Sequence, residues 1–136
     1  MLDTNIVSSL IREDDASMNV APRLARVETI GLSAIVLAEL EIGLQLIHAT
    51  KRGKRLSANL ADFLRLEKLM VVPFSAEDAV EAGRLYSRRK KGRALTFQDT
   101  AIAATAHLRG ALLVTGDRDF EALPRGYLDI ENWLEG

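Results

Sequence analysis

The 136-residue sequence has no cysteine, which excludes a disulfide scaffold and cysteine-held zinc. Aromatic residues are only 5% of it, too few for a surface that stacks nucleic-acid bases on rings. No apolar run approaches the ~18 residues that cross a bilayer. The start lacks a basic stretch leading into an apolar one, so no signal peptide is expected. The expected location is therefore cytoplasmic, with no membrane contact. A net charge of −1 excludes a protein that coats nucleic acid through overall charge. The three prolines and nine glycines are scattered, and no repeat or linker breaks the chain, so residues 1–136 read as one domain.

What is present is an ordinary soluble composition, 48% hydrophobic and 27% charged, arranged as alternating helical and strand-like segments. Residues 4–12 and 19–28 read as short helices, with Pro22 tolerated only in a first turn. Thr29–Ser33 reads as a strand whose serine can cap the next helix. Ala34–His48 is apolar nearly all round, which predicts a helix covered by core or by a partner. Leu56–Leu69 has helical spacing. Leu69–Phe74 reads as a buried strand, and Ser75 with Asp78 as a cap opening a helix to about Lys91, ended by Gly92. Phe97–Arg109 follows as a helix, Ala111–Thr115 as the clearest central strand, and the closing "YLDIENWL" as a last short strand. Strands separated by helices imply parallel pairing, and hence an α/β sandwich.

The first residues, "MLDTN", set an acid directly after two apolar positions. In an open parallel sheet, ligands bind beyond the carboxyl ends of the strands. Asp3 follows the first strand and Asp117 follows "LLVT" by one residue. Asp99 lies in the first turn of the helix feeding that strand. Glu39 sits two turns into the apolar helix and leans back toward its start. Glu41, about 200° away around that helix, does not share the site. Topology thus predicts four carboxylates at one edge. They would repel one another unless a hard divalent cation, magnesium or manganese, lies among them. Asn5, Ser33 and Thr115 are short polar groups suited to orienting the acids. Asp119 competes with Asp117 as the fourth acid; Asp117, nearer the strand end, ranks first, and Asp119 reads as the cap of the turn before Phe120. His48 and His107 lie near helix ends and read as structural, so an imidazole acid–base pair is not expected.

Two basic runs stand out. Lys51, Arg52, Lys54 and Arg55 form one. Arg84, Arg88, Arg89, Lys90, Lys91 and Arg93 form the other, which reads as a local phosphate-binding stripe on a neutral protein.

Taken in order, "MLDTNIVSSLIR", "LSAIVLAELEIG", "FQDTAIAATA" and "LLVTGDRDF" resemble the PIN-domain proteins of the VapC toxin type, and "DIENW" resembles that family's end. The resemblance implies a three-layer α/β/α sandwich with a small central parallel sheet and an acidic site at Asp3, Glu39, Asp99 and Asp117. The activity it implies is that of a magnesium- or manganese-dependent endoribonuclease of a type II toxin–antitoxin pair. Asp3 and Asp99 would then be the closest metal ligands. It further implies a homodimer, blocked by a VapB-like antitoxin that alone reaches operator DNA. Two other readings remain open: a non-catalytic partner in a DNA-binding transcriptional-control complex, and a structure-specific DNA nuclease.

Overall fold

The computed structural model describes residues 1–89 and 95–136. In chain order it comprises helices α1 (Thr4–Arg12) and α2 (Ser17–Arg26), strand β1 (Ile30–Ser33), helices α3 (Ala34–Gln45) and α4 (Lys51–Leu64), and strand β2 (Leu69–Val72). Helices α5 (Ala76–Ser87) and α6 (Phe97–Leu108), then strands β3 (Leu113–Val114) and β4 (Ile130–Glu131), complete it. Strand β1 pairs with β2, and β3 with β4, all in parallel.

The two strand pairs are joined by the first residues of the chain. Leu2 donates its N–H to Gly31 O at 3.0 Å, Val114 N–H reaches Met1 O at 2.8 Å, and Asp3 N–H reaches Val114 O at 2.9 Å. Met1–Asp3 therefore runs at the middle of the small parallel sheet. Its three residues are held by neighbours on both sides, which removes the fraying expected of a chain end.

On the helical layers, α1 packs with α2, α3 and α4, while α5 packs along α6; α3 also touches α6 and β1. This is the expected α/β/α architecture. The core is aliphatic: Ile6, Val7, Leu32, Val36, Ile102 and Leu113 lose nearly all solvent contact, and Phe120 fills the gap beneath the loop after β3. Removing that apolar surface from water is the main term holding the layers together.

Several elements differ from expectation. Strand β2 is not buried throughout, because it forms an edge and leaves Met70 and Val71 exposed. Helix α4 begins at Lys51 rather than Leu56 and ends at Leu64. Its N-cap is Thr50, whose hydroxyl accepts from Gly53 N–H at 2.9 Å. Helix α2 starts two residues early, so Pro22 sits inside it rather than in its first turn. The proline leaves the Met18 carbonyl without its usual partner, at an exposed turn where water can reach it. Helix α5 ends at Ser87; Gly92 lies outside the described residues. Helix α3 buries Val36, Leu40 and Leu44 but leaves Ile42 and Leu46 exposed, so its apolar surface is only partly covered by this chain.

Candidate active site

Because Met1–Asp3 runs parallel within the sheet, Asp3 emerges at the carboxyl edge, beside the residues that follow β3. Asp3 is 5% exposed. One oxygen accepts from Thr4 N–H at 2.8 Å, and the other accepts from the Thr115 hydroxyl at 2.7 Å. Thr115 Oγ1 in turn accepts from Asp117 N–H at 2.9 Å. Asn5 reaches Asp3 with its amide nitrogen at 3.5 Å, and its amide oxygen accepts from Gly116 N–H at 3.1 Å. Asn5 and Thr115 thus tie the loop after β3 to the start of α1. Ser33 does something else: it caps α3 by accepting from Ile35 N–H at 3.1 Å.

Glu39 reaches back along α3, and its Oε1 accepts from the Thr4 hydroxyl at 3.0 Å. The sequence reading passed over Thr4; its place between an acid and an amide was the available signal. Glu41 is turned away and bonds Gln45 instead. Asp99 forms a reciprocal cap with Thr96 at the start of α6. Thr96 Oγ1 accepts from Asp99 N–H, and Asp99 Oδ2 accepts from Thr96 N–H, both at 3.1 Å. This capping box fixes where that carboxylate stands. Asp117, and not Asp119 as expected, caps the 3-10 turn Arg118–Ala122, because its carboxylate at the N-cap position accepts from Asp119 N–H at 2.9 Å. One carboxylate oxygen from each of Asp99, Asp117 and Asp119 lies within 4.8 Å of the others. The structure therefore brings both Asp117 and Asp119 to Asp99.

These acids sense one another. Burial pushes the Asp3 carboxyl above its ordinary value against the lowering effect of its hydrogen bonds, and the charges of Asp99 and Asp117 push the same way. Glu39 is raised by burial, opposed by Thr4, and raised further by Asp3 and Asp99. Asp99 is raised by burial, opposed by Thr96, and raised again by Asp117 and Asp119. Asp99, Asp117 and Asp119 thus cluster beyond the end of β3, and the repulsion felt by Asp3 and Glu39 adds their carboxylates to the same electronegative edge.

Among the described residues, the acids gathered here offer carboxylate oxygens, with the Thr4 and Thr115 hydroxyls and the Asn5 amide beside them, a set that suits a hard divalent ion such as magnesium or manganese. The histidines belong elsewhere. His48 bonds the Gln45 carbonyl at the exposed end of α3, while His107 stacks on Tyr127 and bonds its carbonyl.

The basic residues are dispersed. Arg84 borders a shallow hollow between α5 and α6. Arg88 and Arg89 line another with Arg125, next to Glu121 and Ala122 of the 3-10 turn. Lys90, Lys91 and Arg93 lie outside the described residues. Lys51, Lys54 and Arg55 are exposed on α4, and Arg52 lines a groove that reaches Glu39.

Comparison with known proteins adds the following. Residues 1–126 match the family model described as the PIN domain. The chain is 35% identical over 136 residues to Ribonuclease VapC2 of Rickettsia felis, covering 98% of this chain and 96% of the relative. It is 33% identical to VapC ribonuclease Y4jK of Sinorhizobium fredii, covering 97% and 95%. Among solved structures it resembles a chain of VapBC2 from Rickettsia felis, bound to a DNA fragment from their promoter. That match has a TM-score of 0.79 and 34% identity, covering 98% of this chain and 97% of the other.

Proposed function

The chain belongs to the PIN-domain family, and on that premise we propose that it is a VapC-type toxin: a divalent-metal-dependent endoribonuclease that hydrolyses RNA phosphodiester bonds. The observation that carries this reading is the cluster of Asp99, Asp117 and Asp119 at the carboxyl edge, with Asp3 and Glu39 close enough to feel its charge, and with burial and that repulsion raising the pKa values of Asp3, Glu39 and Asp99. The relatives named as ribonucleases, alike over almost their whole length, support it.

Asp99, Asp117 and Asp119 would hold the ion from the α6 and loop sides, and Asp3 from the sheet side. When bound, a magnesium or manganese ion supplies positive charge to the phosphate and makes an attacking water more acidic. The chain's own contribution is positional. Thr115, Asn5 and the Thr96 box hold the acids so that they need not reorganise during reaction. Glu39, with Oε1 occupied by Thr4, keeps Oε2 free to take a proton from the attacking water. Arg88 and Arg89, beside the 3-10 turn, would meet the RNA backbone on that flank, with Arg84 farther along α5.

We further infer a VapB-like antitoxin as the inhibitory partner, with operator DNA reached only through it, and a homodimeric toxin acting in the cytoplasm. The solved VapBC2 assembly on promoter DNA supports the partner, and the exposed Ile42 and Leu46 on α3 offer apolar surface for association.

Incubation of the protein with RNA and with DNA, in manganese and in chelator, tests the reading. RNA cleavage that leaves a 5′-phosphate, needs the metal and disappears in Asp3→Ala and Asp99→Ala at unchanged circular dichroism is expected. A cyclic 2′,3′-phosphate product would reject the mechanism. Cleavage confined to DNA, or no cleavage of either nucleic acid, would favour the structure-specific nuclease or the non-catalytic partner.

A further inference from the structure

Outside the acidic edge, a groove of about 310 Å³ runs between α1, α3 and α4, with Ile11, Leu40, Leu44, Ile47 and Leu56 as apolar lining and charged groups of opposite sign along its length. Thr4, Ser8 and Arg12 line it from successive turns of α1, and Glu39 and Gly43 from α3. Arg52 closes it from α4. One end is therefore the Thr4–Glu39 pair, which also belongs to the acidic edge, and the other end carries two guanidiniums. Thr4 and Arg12 are eight residues apart on one helix, ~12 Å along its axis. Midway the groove is open, since a Cβ added at Gly43 would meet nothing within 4 Å.

The cationic end is not a by-product of helix stability. Lys51, Arg52, Lys54 and Arg55 crowd the first turns of α4, where positive charge opposes the helix's own field. Among the described residues none of them has an acidic partner within salt-bridge distance, whereas Arg12 is shared with Asp14 at 3.0 Å. Gly53 holds this turn in place: any side chain there would collide with the Ile47 carbonyl oxygen, so α4 starts hard against the end of α3.

We propose that this groove is the track for a single-stranded RNA leaving the cleavage site, with Arg52, assisted by Arg12, binding a phosphate beyond the scissile one. The inference rests on the ribonuclease reading. A strand of phosphates fits the polarity of the groove. It is anionic throughout, so it suits the guanidinium end directly and suits the acid end once a cation is bound there. A basic peptide would satisfy only the acid end. The groove contains no aromatic ring among its lining residues, so it would grip the backbone rather than read bases.

The test uses the full chain and an unstructured oligoribonucleotide, following cleavage in manganese and binding by fluorescence anisotropy in calcium, which keeps a divalent charge at the acid end. Arg52→Ala is expected to raise KM by roughly three- to tenfold with little change in kcat, and to reduce the slope of log KM against log salt by about 0.7, the loss of one single-strand phosphate contact. Arg52→Lys should restore most of the affinity, and Arg52→Ala/Arg12→Ala should be weaker still, all with unchanged thermal melts. An unchanged KM and salt slope in a wild-type protein that does cleave RNA would overturn the track while leaving the ribonuclease reading intact. That outcome would include the case in which the groove serves a protein segment instead. Wild-type protein that binds RNA but never cleaves it would remove the ribonuclease reading, with the anisotropy series then deciding the track. Protein that neither cleaves nor binds RNA would remove both.

Discussion

At the scale of single residues, the acids of this edge trade stability for function. Asp3, Glu39 and Asp99 all ionise less readily in the fold than their ordinary values of 3.8, 4.5 and 3.8. Their folded forms bind protons more tightly than the unfolded chain does, so their favourable contribution is complete below about those values and is lost as pH rises through the raised ones. Metal-free protein is therefore expected to be less stable at pH 7 than these residues would allow. Asp99→Asn keeps an oxygen for the Thr96 N–H while removing the charge. It should raise the melting temperature of metal-free protein at pH 7, with the gain shrinking toward pH 4. A divalent ion at a hundredfold excess over its Kd should stabilise wild-type protein by about 2.7 kcal/mol and the Asn variant by clearly less, read by calorimetry. Equal stabilisation of both would remove Asp99 from the ion's surroundings. Thr4→Val keeps the shape but frees Glu39 Oε1. It should lower kcat without unfolding the protein, and should shift the acidic limb of the pH–rate profile upward, because the hydrogen bond from Thr4 favours the ionised carboxylate.

At the scale of elements, caps and one close approach do most of the placing. The Ser75–Asp78 box opens α5, and Asp78 also takes both arms of Arg109 at 2.7 and 3.1 Å, joining α5 to the end of α6. Burial opposes ionisation of Asp78, but Arg109 and the Ser75 donors outweigh it and hold its pKa below the usual 3.8. Its contribution is thus present above that value and is lost as pH falls through the depressed one. Asp78→Ala leaves the guanidinium without its partner and should cost about 3 kcal/mol in urea unfolding. Gly53→Ala forces the start of α4 away from Ile47 and should cost about 1–3 kcal/mol, with KM for RNA rising as the basic turn moves. Helix α1 was legible to the residue, because apolar spacing and its flanking acid agree. Helix α4 was not. Its opening turn carries charge of the sign that disfavours a helix start, so periodicity alone placed the beginning five residues late. Strand β2 misled for another reason: a run such as "LMVV" looks the same whether a sheet buries both its faces or leaves it at an edge.

At the scale of the whole molecule, the sheet is small and the covering incomplete. Ile42 on α3 is 65% exposed and Leu46 is 82% exposed, so neither is needed by the core of this chain. A double change, Ile42→Asp with Leu46→Asp, should leave the melting temperature within a few degrees. It should weaken assembly with a second copy or with an antitoxin, as read by sedimentation velocity. Unaltered assembly would locate the contacts elsewhere.

The residue pattern by itself determined the fold class and the elements along most of the chain, because alternating apolar periods and parallel topology leave few arrangements open, and it pointed to the sheet edge where acids were expected. It could not decide which side chains hold those acids. Thr4 and Thr115 act through partners 35 and 112 positions away, a separation that no local period records. Nor could it choose between Asp117 and Asp119, which a single tight turn brings together at Asp99. The middle of the sheet was also decided only in three dimensions: Met1–Asp3 is too short for a strand of its own, yet it bridges the two strand pairs because β1 and β3 supply backbone partners on either side.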